Sequence, residues 1–281
     1  MIVAVAALSL MDGGLKTLSP YYSPLQITSM RGLSALPITL LWVSATGGFG
    51  QLLRVRFRLH LLRGVIGIAS LSLFTFGIRR MALADVYTIF FVAPLFITAL
   101  AALILHERVD RRRWVAIGVG FAGVLIVLRP SGAAMVSAPG IAILVTAAGY
   151  AASAITVRIL GRTDSSPSMV FWLMTFVAVG AGVLALPSWQ PIAPAHWSVI
   201  GGIAVSGSIG QWAITEAFKR AEASFIAPFE YTALAWGVGM DWFIWGTVPS
   251  VVTFAGAAVV IGSGLYLIRR ERVTPAPATL P

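Results

Sequence analysis

Apolar residues gather into ten stretches, at 1–18, 24–43, 60–77, 83–105, 113–128, 139–160, 167–186, 196–218, 223–246 and 250–268, parted by short polar or Pro/Gly-rich breaks. Most approach the roughly 20 residues with which an α-helix crosses about 30 Å of hydrocarbon. A segment surrounded by lipid must satisfy its own backbone hydrogen bonds, so each stretch is predicted to be a helix. The pattern predicts an all-α membrane protein with ten transmembrane helices. Residues 271–281, ending in TPAPATLP, carry no such pattern and are expected to be a disordered cytoplasmic tail.

Composition agrees and excludes several classes. Hydrophobic residues make up 58% of the 281, charged residues only 11%, and the mean hydropathy is +0.89. A soluble domain is about 45–50% apolar and about 25% charged, so this chain could not clothe a soluble surface. A soluble enzyme, a disordered chain and a disulfide scaffold are excluded, the last because there is no cysteine. Met1 opens directly into IVAVAALSL without a basic segment, which argues against a cleaved signal peptide.

The net charge of +10 takes its meaning from where the bases sit. Alternate loops and the tail hold fifteen: Arg54, Arg56, Arg58, Arg63, Arg108, Arg111, Arg112, Arg113, Arg158, Arg162, Lys219, Arg220, Arg269, Arg270 and Arg272. The opposite loops hold three, Arg79, Arg80 and Arg129. Basic loops stay in the cytoplasm, so both termini are expected there. The excess is topological, and a nucleic-acid partner drops out.

The chain also repeats itself. A shift of 140 residues lays Arg79-Arg80 on Lys219-Arg220, Phe91 on Tyr231 and Leu128-Arg129 on Ile268-Arg269. Residues 1–130 and 131–270 then form two five-helix repeats. Five is odd, so the second enters the membrane inverted, a common build of secondary transporters with a substrate site between the halves.

The run ADVYTIFFVAPLFITALAALILHERVDRRRWVAIGVGFAGVLIVLRP carries Pro94 in mid-stretch, His106-Glu107-Arg108 at the end of the fourth, and a glycine-spaced fifth ending in Arg129-Pro130. In these marks it resembles the drug/metabolite transporter superfamily, in particular its EamA-type ten-helix exporters. The second half matches with Pro228, Glu230-Tyr231 and Pro249, and departs with Gly246-Thr247 where the acidic helix end should be. Within that superfamily the chain looks closest to YddG-type bacterial exporters of aromatic and other neutral amino acids. The resemblance implies an inner-membrane carrier with alternating access through a central cavity beside the fourth and ninth helices, and Pro94 and Pro228 as gate or hinge bends.

Candidate site residues follow from charges and aromatics inside spans. Ionisable groups there are costly and mark function by default. Asp12 and Lys16 share a face at i, i+4, and are alternatively a pair reached by headgroups. Arg31 could attract a substrate carboxylate or pair with Asp12. Glu230 begins a stripe with Leu234, Gly237 and Asp241 on one helical face. Tyr87 and Phe91, Tyr150 with Ser153, Trp172 with Thr175, Trp212 with Ser208 and Thr215, and Tyr231 offer mixed aromatic and hydroxyl faces; the alternative is core packing. Trp42, Trp114, Trp189, Trp197 and Trp245 fall near span ends and read as interface anchors. A neutral amino acid would bind its carboxylate to Arg31, Lys16 or a helix N-terminus, and its ammonium to Glu230 or an aromatic face.

Gly118-x-Gly120-x-x-Gly123 lacks the strand and turn that a dinucleotide site needs and is read as helix packing. No catalytic motif, P-loop or metal-ligand spacing appears, so no cofactor is expected and transport runs on a gradient or is facilitated. The rival readings are an exporter of another small metabolite or drug, a channel, and an intramembrane enzyme. The expected partners are the small-molecule substrate and the lipid bilayer; the oligomeric state stays open and is compatible with a monomer.

Overall fold

The computed structural model describes residues 1–81, 83–107, 110–128 and 137–246, with positions 251, 255, 258, 259 and 262. The expected tenth helix and the tail lie largely outside them. The helices are α1 (Ile2–Leu18), α2 (Pro24–Ala45), α3 (Phe57–Arg80), α4 (Leu83–Phe90), α5 (Ala93–Ile104), α6 (Arg111–Leu128), α7 (Ala138–Leu160), α8 (Ser166–Ala185), α9 (Trp197–Arg220), α10 (Ala223–Ile226) and α11 (Ala233–Trp245). Short 3₁₀ turns lie at Phe49–Leu52, Leu186–Ser188, Pro194–His196 and Ala227–Thr232. Three helices begin alike: Ser23, Ser137 and Ser165 each accept a first-turn backbone N–H, with a proline just inside the helix. A hydroxyl satisfies a donor that has no partner within the helix, and proline lacks a donor to satisfy.

The fourth apolar stretch is broken. α4 stops at Phe90 and α5 starts at Ala93, so Pro94 falls in a first helical turn, where its missing N–H costs nothing. The ninth stretch breaks at the matching place, through the 3₁₀ segment whose first turn holds Pro228. α5 and α11 begin at 93 and 233, and α3 and α9 run from 57 to 80 and from 197 to 220. Met81 and Ala221 then turn the chain with the same extended backbone, φ −128° and −135°. The 140-residue period is thus present in the backbone as well as in the letters.

Packing follows the same exchange. α2 packs on α8, α1 on α9 and α3 on α7. Swapping the halves maps the last two pairs onto each other. Large apolar side chains face outward all around, among them Leu10, Leu41, Leu62, Val145, Val179, Val183 and Phe243. Such a belt is a liability in water and ordinary in lipid. Three helices among the described residues, Phe57–Arg80, Ala138–Leu160 and Ser166–Ser188, have the length and apolarity to cross a membrane.

Each end of the bundle is tied by a polar clasp. At one end Asp164 accepts from the Arg56 backbone N–H (3.2 Å) and lies 2.8 Å from His60 Nε2, while Ser165 donates to Gln51 (2.6 Å). At the other end Tyr22 meets His196 Nδ1 (2.8 Å) and accepts from the Ala193 N–H (3.0 Å), and Gln26 exchanges two hydrogen bonds with the Gln190 backbone. Arg56 and His196 are 140 residues apart, so the two clasps stand at corresponding places in the repeat.

Candidate transport cavity

A cavity of about 190 Å³ opens between the halves, bounded by α1, α2, α3, α4, α7, α8, α9, the 3₁₀ segment before α11 and the start of α11. Its walls are chiefly apolar, with Phe74, Phe90, Phe91 and Phe218 among them. Among the described residues, four acidic or basic side chains face it: Asp12, Arg31, Arg63 and Glu230. A charge in this setting needs compensation, because removal from water costs several kcal/mol per ion.

The compensation comes in two groups. In the first, the Tyr87 hydroxyl donates to Asp12 Oδ2 (3.1 Å), and Arg31 Nη2 donates to Gln211 Oε1 (3.4 Å), whose own amide donates to Thr215 (3.4 Å). In the second, the Tyr150 hydroxyl donates to Glu230 Oε1 (2.8 Å), while Arg63 donates to Ser153 Oγ (3.2 Å) and the Met169 carbonyl (2.9 Å). Each acid–phenol bond joins helices of one half: α1 with α4, and α7 with the segment after α10. The acid is on the first partner in one half and on the second partner in the other.

Of the residues singled out in the sequence, Asp12, Arg31, Tyr87, Phe91, Tyr150 and Glu230 line the cavity. Tyr231 is placed behind it, 5.4 Å from the Phe91 ring and donating to the Ile117 carbonyl (3.3 Å). Lys16 is on α1 but outside the lining, whereas Asp12, one turn earlier, is in the lining and bonded to Tyr87. Trp172 donates to the Leu52 carbonyl (3.1 Å) and stacks on Phe176, which pins the 49–52 turn rather than the cavity. Trp212 is 46% exposed on the outer surface and meets Trp42 edge-on. Its neighbour Gln211 faces inward, and one residue turns a helix by about 100°. The stripe from Glu230 to Asp241 presumes a continuous helix, whereas Glu230 sits in the 3₁₀ segment, so the eleven-residue spacing does not place the two on one face. The side chains of Pro228 and Asp241 lie outside the described residues.

Sequence reasoning passed over Arg63, Gln211 and the Asp164–His60 pair. Arg63 stood among the loop arginines, yet it is 2% exposed in the second turn of α3. Its signal was the apolar residues on both sides, LLRGVIG. Glu107 of the His-Glu-Arg run accepts the Ala223 N–H (3.1 Å) and pairs with Arg158 (3.7 Å), joining the ends of the fourth, sixth and ninth stretches. Among the described residues no group of three side chains could hold a metal ion.

The chain is similar to known membrane transporters. The profile of the EamA-like transporter family matches residues 1–129 and 138–270. A riboflavin transporter of Vibrio cholerae is 31% identical over 229 residues, 80% of this chain and 76% of the relative. A pseudopaline exporter of Pseudomonas aeruginosa is 26% identical over 96% of this chain and 95% of its own. An S-adenosylmethionine uptake transporter of Rickettsia prowazekii is 27% identical over 76% of this chain and 72% of its own. One crystal structure, 16% identical, superposes with a TM-score of 0.78 over 98% of both chains, a likeness of fold.

Proposed function

Because the chain belongs to the EamA-like transporter family, a family of multi-pass membrane carriers and not of enzymes, we propose that it moves a small amphipathic metabolite through the cavity between its halves. Residues 1–130 and 131–270 act as inverted five-helix repeats, ten spans in all, and the cavity opens to the two membrane faces in turn. Both termini face the cytoplasm of a bacterial inner membrane. The observation that carries this reading is the cavity itself: aromatic walls with two arginines and two carboxylates held apart by separate hydrogen-bond partners. Such a site suits a cargo with an apolar body and charged or polar ends.

The relatives named above carry riboflavin, pseudopaline and S-adenosylmethionine in their names, which favours a metabolite class broader than that of YddG-type amino-acid exporters. A neutral amino acid is one member of that class. The relatives named above include one exporter and one uptake transporter, so direction follows the driving gradient. The test is counterflow of labelled solutes into liposomes containing purified protein, with riboflavin, S-adenosylmethionine, tryptophan and alanine in the panel. Accumulation of at least one solute above protein-free liposomes is the expected result.

A further inference from the structure

The geometry points to a recognition site for an α-amino-carboxylate head group, formed by Arg63, Ser153, Tyr150 and Glu230; it deepens the transport reading and rests on it. Tyr150 and Ser153 are one turn apart on α7, and residues at i and i+3 on a helix have Cβ atoms about 5–6 Å apart. The first holds Glu230 at 2.8 Å and the second holds Arg63 at 3.2 Å. One helical turn therefore carries the hydrogen-bond partners of both a carboxylate and a guanidinium on the cavity wall.

Among the described residues, neither group is fully used. A guanidinium has five N–H donors, and Arg63 commits one to Ser153 and one to the Met169 carbonyl. Among the described residues no carboxylate lies within 4 Å of it, although it is buried and lines the cavity. His60, one turn earlier on α3, is engaged by Asp164. The remaining N–H groups match the two oxygens of a carboxylate, the pairing for which guanidinium is shaped. Glu230 uses Oε1 for Tyr150, which leaves Oε2 for an ammonium. The other pair differs, because Arg31 has the Asp12 carboxylate as its electrostatic neighbour. The Arg63 side thus binds the head group, and Phe74, Phe90, Phe91 and Phe218 receive the body.

The experiment measures counterflow of S-adenosylmethionine and L-phenylalanine against decarboxylated S-adenosylmethionine, phenethylamine, 3-phenylpropionate and riboflavin. Loss of either charged group should cost at least about tenfold in transport, the scale of a hydrogen-bonded charge. In Arg63→Gln the preference for the carboxylate-bearing member of each pair should fall to about unity, and in Glu230→Gln the preference for the amine-bearing member should do so. Both readouts are ratios within one preparation, so they do not depend on the folded fraction. Ser153→Ala, a far smaller change, should narrow the carboxylate preference in the same direction. Transport of riboflavin with no preference for head-bearing solutes in the wild type overturns the head-group site and leaves the transport reading standing. Carboxylate preference unchanged in both Arg63→Gln and Ser153→Ala does the same. Absence of counterflow for every solute overturns the transport reading, and the head-group site with it.

Discussion

Gly32 and Ala178 bring α2 and α8 together backbone to backbone. A β-carbon built on Gly32 would stand 2.5 Å from the Ala178 nitrogen and 2.8 Å from its Cα. One turn earlier on α2, Ser29 donates to the Ala178 carbonyl at 2.7 Å. Small residues allow this approach, and in a membrane close packing with hydrogen bonds replaces the hydrophobic drive between helices.

Gly32→Ala should therefore force α2 away from α8, with an overpacking cost of about 1–3 kcal/mol. Among the described residues, nothing lies within 4 Å of a β-carbon built on Gly118, in the sequence that mimics a dinucleotide fingerprint. Gly118→Ala should be neutral, or stabilising by up to about 1 kcal/mol through helix propensity. Thermal unfolding in detergent separates the two, and equal shifts would contradict the close contact of α2 with α8.

The Asp164–His60 clasp and the Glu216–Arg220 pair make opposite predictions. Asp164 and His60 are buried at 2.8 Å, whereas Arg220 reaches Glu216 at 2.6 Å from an exposed helix surface. A double-mutant cycle on Asp164→Asn and His60→Gln should give a coupling of about 1–3 kcal/mol, since contacting buried residues fail to add. The same cycle on Glu216→Gln and Arg220→Gln should give about 0.5 kcal/mol or less. Additive losses at Asp164 and His60 would show that the clasp does not act as a unit.

The proposed orientation is open to a direct test, because the chain contains no cysteine. Arg162 and Ser188 are exposed at opposite ends of α8. With the basic loops in the cytoplasm, a membrane-impermeant maleimide should label Ser188→Cys in intact cells and Arg162→Cys only after permeabilisation. The reverse pattern would turn the molecule over.

The sequence showed much of the helical layout because lipid imposes length and apolarity on every span, and because the repeat writes each break twice. Pro94 and Pro228 marked the interrupted helices to within two residues, although each begins a new segment instead of bending an old one. The cavity was legible where a polar group has no other reason to be in a span, as with Asp12, Arg31 and Glu230. It was obscure where helical phase decides. Trp212 and Gln211 are neighbours in sequence, about 100° apart around the helix, and one is outward and the other inward, so a stripe built from Ser208, Trp212 and Thr215 mixed outward and inward positions. Arg63 was hidden by its closeness to genuine loop arginines, since only tertiary packing shows that the second turn of α3 is already covered.

That difference of phase gives a last prediction. Tyr87 lines the cavity, packs 6.2 Å from Phe91 and lies against Gly237, while Trp212 meets Trp42 on the outer surface. A ring in the cavity wall lends an aromatic cargo about 0.5–1.5 kcal/mol beyond area burial, roughly a two- to tenfold change in affinity. Tyr87→Ala should lower the transport ratio of tryptophan to alanine by that factor, because only the aromatic solute loses a stacking partner. Trp212→Ala should leave the ratio unchanged and act, if at all, on stability in the membrane. Initial rates in liposomes, taken as a ratio for each variant, remove differences in yield. If Trp212→Ala shifts the ratio and Tyr87→Ala does not, the cargo path runs outside this cavity and the assignment of its walls is wrong.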